Sequence, residues 1–205
     1  MNRRAMLKHF SIFPAAALAA ALSGCGSQAP APQPSEQPPL AGAAIGGPFT
    51  LSDKDGKAVT WDQFKGKYRI VYFGYTFCPD ACPMDVGVMM RGFAKFEQQD
   101  AARAAGVQPI FITIDPARDT PARVGEFAAA FSPRLLGLTG TEAQVKQAAK
   151  AFRAYYARGQ ESAGGYLMDH SRIAYLMDPA GQPIAMLPVE KGADAVAAEL
   201  ARWVK

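Results

Sequence analysis

Three side chains carry most of the chemistry open to this chain. The stretch Phe77-Cys78-Pro79-Asp80-Ala81-Cys82-Pro83-Met84-Asp85 spaces two cysteines as C-x-x-x-C, with a proline after each. His170 stands in Asp169-His170-Ser171. The chain has three cysteines and two histidines, and Cys25 and His9 lie near the N-terminus. A Cys/His site beyond residue 25 can therefore be built only from Cys78, Cys82 and His170. A dithiol used for simple exchange is usually spaced C-x-x-C. The longer loop can leave both sulfurs directed outward as a metal pincer, with His170 closing the ring. Two thiolates and an imidazole suit copper: soft thiolates hold Cu(I), and the added imidazole lets the site also hold Cu(II). Zinc accepts the same ligands, so the donor set alone leaves it open. The plainer alternative is a structural disulfide in an exported protein. A bridge across so short a loop removes little chain entropy, and it would use both cysteines of the domain.

The elements that must position these groups can be read around them. Tyr68 to Phe73 is a continuous apolar run, suiting a strand buried on both faces. The cysteine loop follows it directly. Pro83 lacks an N–H, so the spacing predicts a helix from Pro83 to Ala105 with Cys82 as its N-cap. Both thiols at a helix N-terminus would have lowered pKa values. Val107 to Ile114 reads as a second central strand ending near Asp115. Asp119-Thr120-Pro121 opens a helix to Phe131, and Thr141 with Gln144 forms a capping-box pattern for another. Ile173 to Met177, a turn at Asp178-Pro179-Ala180-Gly181, and Pro183 to Leu187 make a returning pair, and Ala193 to Val204 closes as an amphipathic helix. A hairpin, Phe49 to Leu51 with Ala58 to Thr60, precedes all of these. The expected fold class is α/β: a thioredoxin-like sandwich, a central mixed sheet flanked by helices, with an extra N-terminal β-hairpin. In such a sheet Cys78, Cys82, His170 and Asp115 converge on one edge. A lone histidine before a strand is, taken by itself, more often a turn residue than a ligand.

The N-terminus reads as an address. MNRRAMLKHF is a positive n-region and SIFPAAALAAAL a short apolar stretch, too short for a comfortable membrane span. Leu22-Ser23-Gly24-Cys25 looks like a bacterial lipobox. The expected organisation is a lipoprotein signal peptide over 1–24, a lipidated Cys25 with a Pro-rich tether over 25–47, and a copper-binding domain over 48–205. That places the protein in the bacterial cell envelope, with its domain facing the periplasm or outside. Of the 205 residues, 22 are basic and 18 acidic, for a formal charge of +4. Three of the bases, Arg3, Arg4 and Lys8, precede Cys25, so the remainder is near neutral and carries no footprint for nucleic acid.

Three motifs together resemble the Sco/SenC family of thioredoxin-like copper proteins. They are Phe73-Gly74-Tyr75-Thr76-Phe77-Cys78-Pro79-Asp80-Ala81-Cys82-Pro83, then Asp115-Pro116-Ala117-Arg118-Asp119-Thr120-Pro121, then Asp169-His170-Ser171. The resemblance covers residues 46 to 205 and implies a copper metallochaperone, with Cys78, Cys82 and His170 as ligands. It implies help in assembling the CuA centre of cytochrome c oxidase, with the copper-bearing subunit and other periplasmic copper chaperones as partners. It also implies that Asp115, Arg118 and Asp119 border the site or touch the partner. Read from the residues alone, Asp119 and Thr120 cap a helix and Arg118 pairs with a nearby acid. Met84 and Met168 read as packing rather than as ligands. The competing function is a membrane-anchored thiol–disulfide oxidoreductase that reduces the cysteines of the copper acceptor, with Cys78 and Cys82 as its redox pair. His170, which disulfide exchange does not need, argues against that as the sole activity. A peroxidase is disfavoured by the cysteine spacing.

Overall fold

Six of the seven residues of Tyr68–Gly74 (β3) are buried, so this strand needs cover on both faces. The computed structural model, which describes residues 36–162 and 165–205, supplies that cover. β3 pairs in parallel with Val107–Thr113 (β4) and antiparallel with Ala174–Met177 (β8). Leu136–Leu138 (β5) and Pro183–Leu187 (β9) complete a five-stranded sheet in the order β5-β4-β3-β8-β9. Because side chains alternate along a strand, Ile70 and Tyr72 enter one core while Val71 and Phe73 enter the other.

The first core is closed by helices Ala81–Gln99 (α1), Ala101–Ala105 (α2), Pro121–Phe131 (α3) and Ala193–Trp203 (α5), through residues such as Met89, Phe93, Val124 and Leu200. α1 and α5 approach so closely that a Cβ at Gly92 would lie 2.5 Å from the Cβ of Val196. The second core is closed by helix Glu142–Ala151 (α4) and by the hairpin of Thr50–Ser52 (β1) and Ala58–Thr60 (β2), with Trp61 and Phe152 between them. The caps follow from sequence. Thr120 accepts from the Arg123 N–H with Pro121 in the first turn, and Thr141 and Gln144 form a reciprocal capping box. The result is the expected thioredoxin-type sandwich with its extra hairpin.

Two expectations are corrected. α1 begins at Ala81, not at Pro83, and Cys82 is helical rather than the N-cap. The first backbone N–H groups of a helix have no intrahelical partner, so a proline two residues further in costs no hydrogen bond. The same helix stops at Gln99 instead of running to Ala105: Asp100 leaves the helical conformation and its side chain accepts from the Arg103 N–H, starting α2 afresh. Residues Glu36–Lys205 form one compact unit. Leu40 and Ile45 lie against the second core, and the Leu40 N–H donates to the Ile184 carbonyl. These two apolar residues give the proline-rich segment something to bury. The expected signal peptide, the expected lipidated Cys25 and the first part of the expected tether lie outside the described residues. Among the described residues no helix is long and apolar enough to cross a membrane.

Candidate metal centre

β3 ends at Gly74, and the chain turns at once into the loop bearing Cys78 and the first turn of α1 bearing Cys82. β8 runs antiparallel to β3, with Tyr72 opposite Ala174, so the residues before β8 arrive at the edge where β3 ends. Those residues close a separate two-stranded hairpin, Tyr156–Ser162 (β6) and Gly165–His170 (β7), of which His170 is the last. His170 thus ends a strand rather than sitting in a simple turn.

The Cys82 sulfur lies 3.1 Å from His170 Nε2, and the Cys82 N–H donates to Cys78 Sγ at 3.3 Å. The three donor atoms of Cys78, Cys82 and His170 all fall within 4.8 Å of one another. His170 Nδ1 is 3.0 Å from the Ser171 carbonyl, which can only accept, so Nδ1 carries the proton and Nε2 turns a lone pair toward the sulfurs. Burial also holds the imidazole below its ordinary pKa, with the Ser171 carbonyl opposing. A neutral imidazole is the ligating form.

The expected lowering of the thiol pKa fails at Cys82. Its side chain is fully buried, and burial pushes the thiol up, with the Cys78 thiol and the Asp85 carboxylate adding to the rise and the Tyr75 backbone opposing it. Desolvation of a thiolate in this apolar setting outweighs the helix end. Cys78, by contrast, is partly exposed, and both cysteines are free thiols.

Around the trio, the rings of Tyr72 and Tyr75 meet His170 edge-on, at 6.3 and 5.9 Å between centroids. Asp119, fully buried, accepts from the Thr76 N–H (2.9 Å), the Thr76 hydroxyl (2.6 Å) and the Thr113 hydroxyl (2.5 Å). It staples the start of the cysteine loop to the end of β4, and the helix cap belongs to Thr120 alone. Asp115 reaches the same sheet edge but stays out of the donor cluster. It accepts from Arg118 Nε (2.5 Å) and from the Tyr166 hydroxyl (2.7 Å). Arg118 also donates to the Tyr166 carbonyl at 2.8 Å and lies over the Tyr166 ring at 3.6 Å. Asp115 and Arg118 therefore hold the β6–β7 hairpin to the body. Sequence reasoning missed the ion pair between Asp85 and Arg172, at 2.6 and 2.8 Å. Asp85 is one helical turn beyond Cys82 and Arg172 two residues beyond His170, but no local pattern links residues so far apart in the chain.

A family model described as SCO1/SenC matches residues 37–205. The chain belongs to the SCO1/SenC family. Among the curated SCO1/SenC relatives, it is 46% identical to protein SenC of Rhodobacter capsulatus over 139 residues, which are 68% of this chain and 61% of that one. It is 42% identical to SCO1 homolog 1 of Arabidopsis thaliana over 144 residues, 70% of this chain and 42% of the relative. The chain thus spans roughly half the length of the curated relatives it matches, between 42% and 61% for these two. Two solved SCO1/SenC structures are similar along most of their length. Copper-bound ScoI of A. thaliana has a TM-score of 0.73 and 37% identity, covering 78% of this chain and 97% of that one. Copper-bound ScoI of Bradyrhizobium japonicum has a TM-score of 0.67 and 38% identity, covering 78% and 99%.

Proposed function

We propose that this SCO1/SenC protein carries one copper ion on Cys78 Sγ, Cys82 Sγ and His170 Nε2. We propose further that it delivers the ion to the copper-bearing subunit of cytochrome c oxidase, assisting assembly of the CuA centre. The observation that carries this reading is the three-donor cluster within 4.8 Å, drawn from three separate elements. The donor set fits a metal: sulfur and imidazole ligands at about 2.3 and 2.1 Å from one ion would lie about 3.5–4 Å from each other. Copper is the cargo, a soft ion that two thiolates retain in its reduced form and that an imidazole helps to retain in its oxidised form. The protein's part is to hold the donors ready. Buried Cys82 forms the inner wall, while the partly exposed Cys78 and His170 lie on the side from which cargo enters and leaves. Other periplasmic copper chaperones are the proposed source. A lipid on Cys25 is the proposed anchor in the bacterial envelope, and Cys25→Ser should leave an unprocessed precursor.

Protein from copper-supplemented cells should contain one copper per chain and show a thiolate-to-Cu(II) charge-transfer band. The band should vanish in Cys78→Ala and in Cys82→Ala, and its survival in either refutes the ligand set. The contact of the Cys82 N–H with Cys78 Sγ keeps the two thiols close, which favours a second reading as a thiol–disulfide reductase acting on the acceptor's cysteines. A related structure, 25% identical, is described as revealing a disulfide switch in BsSco, a Sco-family oxidase assembly protein. His170→Ala separates the two. Copper delivery predicts low oxidase activity at limiting copper with a redox-competent dithiol, whereas a reductase predicts normal activity.

A further inference from the structure

Of the two donors that stand in regular elements, His170 has the less backbone support. Cys82 is fixed inside α1, but among the described residues the strand bearing His170 pairs only with β6, in a hairpin outside the five-stranded sheet. Between His170 and β8 lie Ser171, Arg172 and Ile173, none of them in a ladder. Ser171 is tied back to the arm, its N–H donating to the Tyr155 carbonyl at 3.0 Å. Arg172 is tied to the body: its Nε and Nη2 grip both oxygens of Asp85, a carboxylate that is 3% exposed. The same carboxylate accepts from the Tyr72 hydroxyl at 2.9 Å, and the Tyr72 ring packs edge-on against His170.

We infer that Asp85 and Arg172 are positioning residues that hold the His170 imidazole over Cys82. Asp85 acts along two routes. Through the Arg172 fork it fixes the backbone beside Ser171, whose carbonyl accepts from the Nδ1–H and so decides that Nε2 faces the sulfurs. Through the Tyr72 hydroxyl it fixes the ring against which the imidazole rests. Asp85 lies three residues beyond Cys82 on one helix face, so one carboxylate sets the thiol-bearing helix and the histidine-bearing segment in register. A bidentate guanidinium–carboxylate pair supplies direction as well as attraction, which a lysine or a neutral pair would not.

This inference rests on the copper reading for its consequence but not for its geometry, and the test separates the two. Full-length Asp85→Asn keeps an acceptor for Tyr72 and removes the ion pair. Arg172→Lys keeps a charge beside buried Asp85 and removes the fork, so the test stays readable if the first variant does not fold. In the metal-free protein, nitrogen NMR of the His170 ring should show one Nδ1–H tautomer, which becomes mixed or shifted in Asp85→Asn and less so in Arg172→Lys. Cu(II) affinity, measured by competition, should fall tenfold or more in Asp85→Asn, about the cost of losing a partner behind a metal ligand, and by less in Arg172→Lys. Cu(I) affinity, carried mainly by the thiolates, should change less than Cu(II) affinity. Unchanged ring signals in both variants overturn the proposal, as does Cu(II) affinity within twofold of the parent in a folded Asp85→Asn. Failure of the parent chain to bind copper, with ring signals that still respond to Asp85→Asn, would sink the copper function and uphold the positioning role.

Discussion

Cys82 belongs to the core, and His170 belongs to an arm. The sulfur sits fully buried at the mouth of a helix that follows a central strand with paired neighbours on both sides. The imidazole ends a two-stranded hairpin whose second strand alternates exposed and half-buried residues. One region is held by packing on both faces, the other by the half-buried Tyr156 and Met168 against the second core and by a few polar contacts: Arg118 and Asp115 on Tyr166, and Asp85 on Arg172. The difference teaches that the dithiol and the histidine can be perturbed separately. A loss of core packing should unfold the chain cooperatively, while a loss of an arm contact should open the site and leave the sheet standing.

Four substitutions test that contrast. Phe152→Ala should be the most damaging. Its ring is fully buried among Trp61, Phe73 and Tyr175, and removing it should cost about 3–5 kcal/mol in chemical denaturation. A loss below about 1 kcal/mol would mean that this half of the core is not tightly packed. Gly92→Ala comes next. Alanine gains about 1 kcal/mol of helix propensity, but its Cβ would meet Val196 at 2.5 Å and the Ala193 carbonyl at 2.9 Å. Overpacking of about 1–3 kcal/mol should outweigh that gain, so a stabilised variant would show that α1 and α5 can slide apart.

Tyr166→Phe acts on the arm. It removes the hydroxyl contact with Asp115, about 1 kcal/mol. Amide exchange in β6 and β7 should quicken about fivefold, the factor that energy implies, with β3 and β4 unchanged. Equal acceleration in both regions would erase the distinction between arm and core. Arg158→Ala should do least. Arg158 lies over the outer side of the Tyr166 ring at 3.9 Å and pairs with exposed Glu161. Surface changes of this kind stay within about 0.5 kcal/mol, so a larger destabilisation would make Arg158 a true brace of the arm.

The sequence by itself determined the elements and the donors. An apolar run as long as Tyr68 to Phe73 has few fates besides a central strand, and Thr120-Pro121 and the Thr141/Gln144 pair carry their helix starts in local hydrogen-bond chemistry. Cys78, Cys82 and His170 were legible because the chain beyond residue 25 holds no other cysteine or histidine. Only the tertiary structure decided how those donors are held. Burial raises the Cys82 thiol because the surrounding core excludes water, and a helix start read from local sequence cannot report what packs over it. Asp119 has the composition of a cap but serves as a buried staple, since Thr76 and Thr113 are brought to it by the parallel pairing of β3 and β4. Leu40 and Ile45 dock because a core face lies open beneath them. Asp85 meets Arg172 across a separation of 87 residues, a distance over which only the folded sheet, and no local pattern, can bring two charges together.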